Sequence, residues 1–394
     1  MKTFSPAIVS SIPQCFSYKN YNVEGIDIVI VMSFKIALII FSYLILKIFF
    51  CKPYFPYFPD QYLYYRDMLK IADDFMMIFY SKSAYWAIDT LYSRVIGLAG
   101  IIFWYLDPYI IASLVNMVCS VILAIYATKI YLYLSKESYI NPRILFYIIC
   151  FSPMINIYSL CILRDVAITC LFVVFIYHML QNNWLWMGVI ILIFVGLRPL
   201  MAAFLPIILL LQIGARWLFS LRLWWFWFTL FCAAVMMILY FIRADLAIPI
   251  MGFLATKSGV GDIARWLGMG FISADTTSGQ TGFLMRIAAV DSIVLPVLMY
   301  LLFIPSFLKA DKEPRIVLSL IVLIHIGTAV AYLAILHSFP SRKLLMFIPI
   351  FYALIFWYFN KRKEEKVALR YSRFKTKNGF KTMHRVFPRY KCHV

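Results

Sequence analysis

The chain has 394 residues, of which 64% are hydrophobic and only 14% charged, and it carries a formal net charge of +19. A soluble core of this length does not absorb so much apolar surface, so composition excludes an ordinary soluble enzyme. It predicts an all-α polytopic membrane protein with about ten transmembrane helices.

In chain order, a neutral amino-terminal segment with no basic start is followed by an apolar run from Ile28 to Phe50. That run is too long for a removable signal and reads as a retained first span. Further apolar runs bounded by charges or turn residues predict spans near 109–134, 144–163, 166–182, 184–197, 200–214, 217–242, 287–308, 316–336 and 344–359. Val95 to Leu106 is also apolar, but about twelve residues are too few to cross a bilayer. This segment is expected to lie on or dip into the surface, and that placement decides the sidedness of loop 51–107. The eight cysteines are scattered, with no C-x-x-C pair and no histidine at ligand spacing. Neither a disulfide framework nor a zinc site is indicated.

Beyond the last span the segment 361–394 is densely basic, from Lys361, Arg362 and Lys363 to Arg389 and Lys391. A juxtamembrane cluster of this kind sets topology and meets anionic lipid heads, so it predicts a cytoplasmic tail and no nucleic-acid partner. The chain therefore divides into one transmembrane domain, 1–360, and the tail, 361–394. Counting back from the tail places both termini, Lys129/Lys136/Arg143, Arg216/Arg222 and Lys309/Lys312/Arg315 on the cytoplasmic side. Two long outer loops, 51–107 and 243–286, then share the opposite face with the turns at Arg164-Asp165, Arg198-Pro199 and His337 to Lys343.

Isolated charges on the outer face are not explained by topology, although snorkelling to the headgroups competes as a reading for each. Arg164-Asp165 makes nearly the whole connection between two spans; as sequence neighbours on a helix they do not face each other and are free to take separate partners. Pro59-Asp60-Gln61-Tyr62-Leu63-Tyr64-Tyr65-Arg66-Asp67 brings carboxylates to the outer surface, where an ionised acid such as Asp60 can take a proton from a hydroxyl. The competing reading is a solvated helix start capped by Asp60. Arg198 before Pro199 offers a planar guanidinium suited to holding a phosphate, and Arg342 and Lys343 fall at the same level. The glycine-rich 243–286 loop carries no assignable chemistry. Deep inside the predicted spans charges are few, with Lys35, Asp291 and His325 as the exceptions.

The Asp60-x-Tyr62-x-Tyr64 loop, the short helix before the second span, Ser152-Pro153 leading to Leu163-Arg164-Asp165, and Leu197-Arg198-Pro199 together resemble the GT-C class of membrane glycosyltransferases. They also resemble the related O-antigen-like polymerases of surface-polysaccharide repeat units, such as those of lipopolysaccharide. The likeness covers roughly residues 28–200, with Arg342 as a later echo. It implies that Asp60 and Asp165 are the catalytic candidates and that Tyr62, Arg66, Asp67, Arg164, Arg198, Arg342 and Lys343 bind substrate. The implied donor is a polyprenyl-phosphate-linked sugar, the acceptor a glycan or lipid-linked glycan, and the site the outer face of a bacterial inner membrane. A transporter or flippase for a lipid-linked or anionic substrate is the alternative, and an assembly subunit is a third reading. An acyltransferase is disfavoured, because His178, His325 and His337 lack acidic neighbours. No cofactor is implied; metal dependence, the sugar, the linkage and the oligomeric state are left open.

Overall fold

A computed structural model describes residues 23–52, 59–74, 91–135, 137–218, 282–336 and 345–378, and all regular structure among them is helical. The helices are α1 (Gly25–Ile45), α2 (Pro59–Asp73), α3 (Leu91–Ile102), α4 (Pro108–Leu134), α5 (Pro142–Cys150) and α6 (Pro153–Ser159). They continue with α7 (Asp165–Leu180), α8 (Trp184–Leu197), α9 (Pro199–Leu218), α10 (Gly282–Lys309), α11 (Lys312–Leu336) and α12 (Ile348–Asn378).

Three of these helices begin with the same local chemistry, a short polar side chain before proline. Asp107 Oδ1 accepts from Tyr109 N at 2.9 Å, Asn141 Oδ1 from Arg143 N at 2.9 Å, and Ser152 Oγ from Ile155 N at 3.4 Å. Each cap satisfies an amide that has no carbonyl partner within the helix, while proline at the first position has no N–H to lose. At the other end of α7, Asn182 adopts φ 56°, and the Asn183 and Asn182 amides close back on His178 O (2.9 Å) and Met179 O (3.2 Å). That left-handed cap stops the helix and turns the chain into α8.

Helix α4 is the hub, packing against α1, α5, α7 and α12. Its buried residues, among them Tyr109, Asn116, Leu123 and Ile130, recur along one face, while Val118 and Tyr133 on the opposite face stand open at 43% and 42%. By contrast α1 exposes a run of large apolar side chains, Ile26, Ile30, Phe34, Ile40 and Phe41 among them, with Phe41 61% exposed. Leu192 on α8 and Leu301 on α10 are equally open, at 73% and 69%.

Contacts at the helix ends define two poles. At one, here the tail end, Asp27 receives Arg143 Nε (3.1 Å) and Tyr147 OH (2.8 Å), and Asn360 Oδ1 receives Tyr139 N (2.6 Å). Lys309 meets Glu365 (2.5 Å) and Arg216 meets Glu313 (3.7 Å) at the same pole. At the far end, Asp107 Oδ2 receives Tyr43 OH and Tyr65 OH, both at 3.4 Å, tying the finish of α1 and the body of α2 to the start of α4. The helices thus run up and down between the poles, with α2 and α3 packed on each other at the far end.

Among the described residues, two helical stretches, Gly25–Phe49 and Pro108–Leu134, are long and apolar enough to cross a membrane. Asp165–Leu180, Trp184–Leu197, Leu205–Trp217 and Val294–Lys309 are apolar but shorter. A helix of 16 residues such as α7 rises only about 24 Å, less than the roughly 30 Å of a hydrocarbon core. The uninterrupted span expected over 144–163 is two helices, α5 and α6, broken at Phe151-Ser152 because Pro153 has no amide hydrogen to continue the ladder. The segment 95–106 is largely α3, a 12-residue helix lying against α2 and α4. The tail does not begin as free chain: α12 runs on through its basic residues to Asn378. Most of the span expected over 217–242 and most of loop 243–286 lie outside the described residues; residues 217–218 close α9 and residues 282–286 open α10.

Candidate functional site at the far end of the bundle

Between α6 and α7 the chain leaves the helix for Leu160 to Arg164, and two neutral amides make this possible deep inside the protein. Asn116 Nδ2 on α4 donates to Cys161 O (2.9 Å) and Leu163 O (3.0 Å). Gln61 Oε1 on α2 accepts from Ile162 N at 3.1 Å. Both amides are fully buried, at 0% exposure. Buried backbone groups without a partner are costly, so these three bonds replace what the unwound turn forfeits.

The turn delivers Arg164 and Asp165 to different neighbours. Arg164 Nη1 donates to Leu197 O at 2.7 Å, placing positive charge at the carboxyl end of α8, where the helix dipole favours it. Asp165 opens α7, buried at the amino end that favours negative charge, and Arg198 Nη1 stands 3.9 Å from its Oδ1. Two breaks, α6/α7 and α8/α9, therefore meet through two arginines and one carboxylate. Close approach of the backbone helps: Leu91 at the head of α3 lies against Gly196, where an added Cβ would stand 3.1 Å from Leu91 Cβ.

Helix α2 contributes a second charged pair. Arg66 Nη2 is 3.4 Å from Asp67 Oδ1, and the Arg66 guanidinium lies over the Tyr62 ring at 5.9 Å. Asp67 is buried, and its Oδ2 has no hydrogen-bond partner among the described residues. Tyr62 is exposed. Asp60 stands in the first turn of α2 but its side chain is outside the described residues, as are Arg342 and Lys343.

The structure thus gathers Arg164, Asp165 and Arg198, puts Tyr62, Arg66 and Asp67 on the neighbouring helix, and adds two residues that sequence reasoning passed over, Gln61 and Asn116. Asn116 is a neutral amide in an apolar run and Gln61 a neutral amide between Asp60 and Tyr62, and neither carries a stronger signal. Among the described residues no three His, Cys, Asp or Glu side chains come together as a metal site.

A second polar cluster lies deeper. Asp291 on α10 accepts from Ser152 Oγ (2.5 Å), Met154 N (3.2 Å) and Tyr352 OH (3.0 Å), and so caps α6 from outside. Lys35 on α1 donates to Asn156 Oδ1 on α6 at 2.5 Å. His325 on α11 meets the Tyr300 hydroxyl through Nδ1 at 2.6 Å. Compared with protein-family models, with curated proteins and with solved structures, the chain matches none.

Proposed function

We propose that the chain is a polytopic membrane glycosyltransferase, crossing the bilayer about ten times, that moves a sugar or oligosaccharide from a polyprenyl-phosphate-type carrier to an acceptor during surface-polysaccharide synthesis. The bilayer reading is supported by the open apolar faces of α1, α8 and α10, since a soluble monomer rarely exposes large contiguous apolar patches. The polar helix breaks at the far end are enclosed by protein, the condition under which a membrane tolerates irregular backbone. With the basic pole in the cytoplasm, the far end faces outward, where nucleotide sugars are absent and a lipid carrier must bring the sugar.

The observation that carries the reading is the convergence of Arg164, Asp165 and Arg198 on two abutting helix breaks beside α2. Guanidinium groups held at helix breaks are suited to a phosphate on which negative charge grows as the sugar departs. In the proposed inverting step Asp60 takes the acceptor hydroxyl proton and the acceptor oxygen bonds to the anomeric carbon. The bond from that carbon to the carrier phosphate breaks on the opposite face, and its electron pair leaves with the phosphate beside Arg198. The test is the chain-length profile of surface polysaccharide in cells lacking the gene, rescued with wild type or with Asp60→Ala at equal membrane abundance. A ladder restored by wild type alone supports the reading; an unchanged polysaccharide in the deletion overturns it.

One observation favours a second reading, transport of a lipid-linked or anionic substrate. Lys35 and Asp291 are buried within apolar helices and both engage α6, the short helix of a broken span, as transporters arrange their binding groups. Lipid-linked sugar flipping by the purified protein in vesicles, abolished by Asp291→Asn, would select it.

A further inference from the structure

We infer that Gln61 is a positioning residue: its side chain pins α2 to the unwound turn at Ile162 and thereby holds the proposed base, Asp60, in register with Arg164. The inference rests on the glycosyltransferase reading for its consequence, but the pin stands on geometry alone. Gln61 follows Asp60 in α2, and Ile162 lies two residues before Arg164, so the 3.1 Å bond from Ile162 N to Gln61 Oε1 joins the two candidate regions across 101 residues of sequence. Ile162 and Gln61 are both wholly enclosed. No helical carbonyl receives that amide, since the chain between Leu160 and Arg164 is not helical. Removing the acceptor therefore leaves a buried N–H unpaired, and the turn gains most by moving.

Asn116 holds the same turn from the opposite chemistry, donating to the carbonyls on either side of Ile162. The two amides divide the work: α4 fixes the turn to the bundle and α2 is fixed to the turn. Packing of α2 on α3 and the Tyr65 hydroxyl bond to Asp107 at the start of α4 also hold α2, and the Gln61 bond adds a direct tie to the turn itself. Gln61 matters through its oxygen, so a glutamate, which presents an acceptor oxygen whether ionised or protonated, should keep the pin where the near-isosteric methionine does not.

Cys161 is a native reporter, being almost wholly buried beside Gln61. In a variant whose other cysteines are replaced by alanine, labelling of Cys161 by N-ethylmaleimide is measured in membranes for wild-type Gln61, Gln61→Met and Gln61→Glu, with Asn116→Leu as a second way to free the turn. Abundance and the polysaccharide ladder are followed in parallel. The expected result is labelling about tenfold faster or more in Gln61→Met and Asn116→Leu, with Gln61→Glu near wild type. The ladder should be lost in Gln61→Met and restored in Gln61→Glu. Unchanged labelling in Gln61→Met with an intact ladder would overturn the pin. Unchanged labelling with a lost ladder would overturn the positioning role and make Gln61 a substrate contact. Fast labelling with an intact ladder would leave the pin standing but sink the placement of the transfer site at this turn.

Discussion

Lys35 Nζ lies 2.5 Å from Asn156 Oδ1, a link from the interior of α1 to the interior of α6 across 121 residues of sequence. Lys35 is only 2% exposed, and the neighbouring face of α1, with Phe34 and Ile36, is open and apolar. The ammonium is therefore turned inward, onto the short helix that precedes the Arg164 turn.

Removing a partner from a buried charge costs more than removing the charge, because the first leaves a desolvated ion alone. Asn156→Leu should thus lower stability by about 3 kcal/mol, while Lys35→Met, which fills the space without a charge, should cost less than about 1 kcal/mol. Thermal unfolding in detergent separates the two; an equal loss in both would refute the buried-ion argument.

Asp291 should behave differently, because its carboxylate serves three donors on two elements, Ser152, Met154 and Tyr352. Asp291→Asn keeps one acceptor and should cost about 1–2 kcal/mol, whereas Asp291→Leu abandons a helix cap and two hydroxyls and should cost about 3 kcal/mol or more. Tyr352→Phe, losing one hydroxyl, should sit near 1 kcal/mol. The ordering of midpoints in one detergent checks all three.

Two glycines give opposite expectations. A Cβ at Gly97 on α3 would stand 2.6 Å from Ile71 Cγ2 and 2.7 Å from Ile71 Cβ on α2, so the helices must part to admit it. Gly97→Ala should destabilise by about 1–3 kcal/mol. At Gly188 in α8 nothing lies within 4 Å, so Gly188→Ala should stabilise by about 0.5–1 kcal/mol through helix propensity alone. Measured together by thermal unfolding, a fall for both would contradict the open space at Gly188.

Hydropathy reads the chain well where one run is one helix, as over Pro108–Leu134, and badly where polar punctuation is slight. Ser152-Pro153 interrupts an apolar run with a single hydroxyl and a missing amide, which an average over about twenty residues does not register. Arg164 and Asp165 do take separate partners, yet Arg66 and Asp67, neighbours on α2, meet at 3.4 Å, so the helix-neighbour rule is no general guide. It cannot name those partners, because Leu197 and Arg198 arrive from another helix. Gln61 and Asn116 are harder still: what each binds is backbone, and backbone becomes a partner only where the fold has unwound it. The continuation of α12 to Asn378 escapes a reading by charge, since lysine and arginine are good helix formers that also mark a tail.

Arg164 and Arg198 should respond differently to substitution, although both are arginines at helix breaks. Arg164 closes the carboxyl end of α8 through a 2.7 Å bond to Leu197 O, so Arg164→Ala should reduce stability by about 1–2 kcal/mol and polysaccharide output together. Arg198 meets Asp165 at 3.9 Å, too far for a hydrogen bond, so this pair by itself does not commit its guanidinium. Arg198→Lys keeps the charge and loses the planar fork, so output should fall by about tenfold or more while thermal stability stays within about 0.5 kcal/mol of wild type. Asp165→Asn removes the negative group that competes with phosphate for Arg198, so the amount of lipid-linked donor needed for half-maximal output should fall if Asp165 only holds that arginine. If output collapses at every donor level instead, with abundance unchanged, Asp165 takes part in the transfer itself.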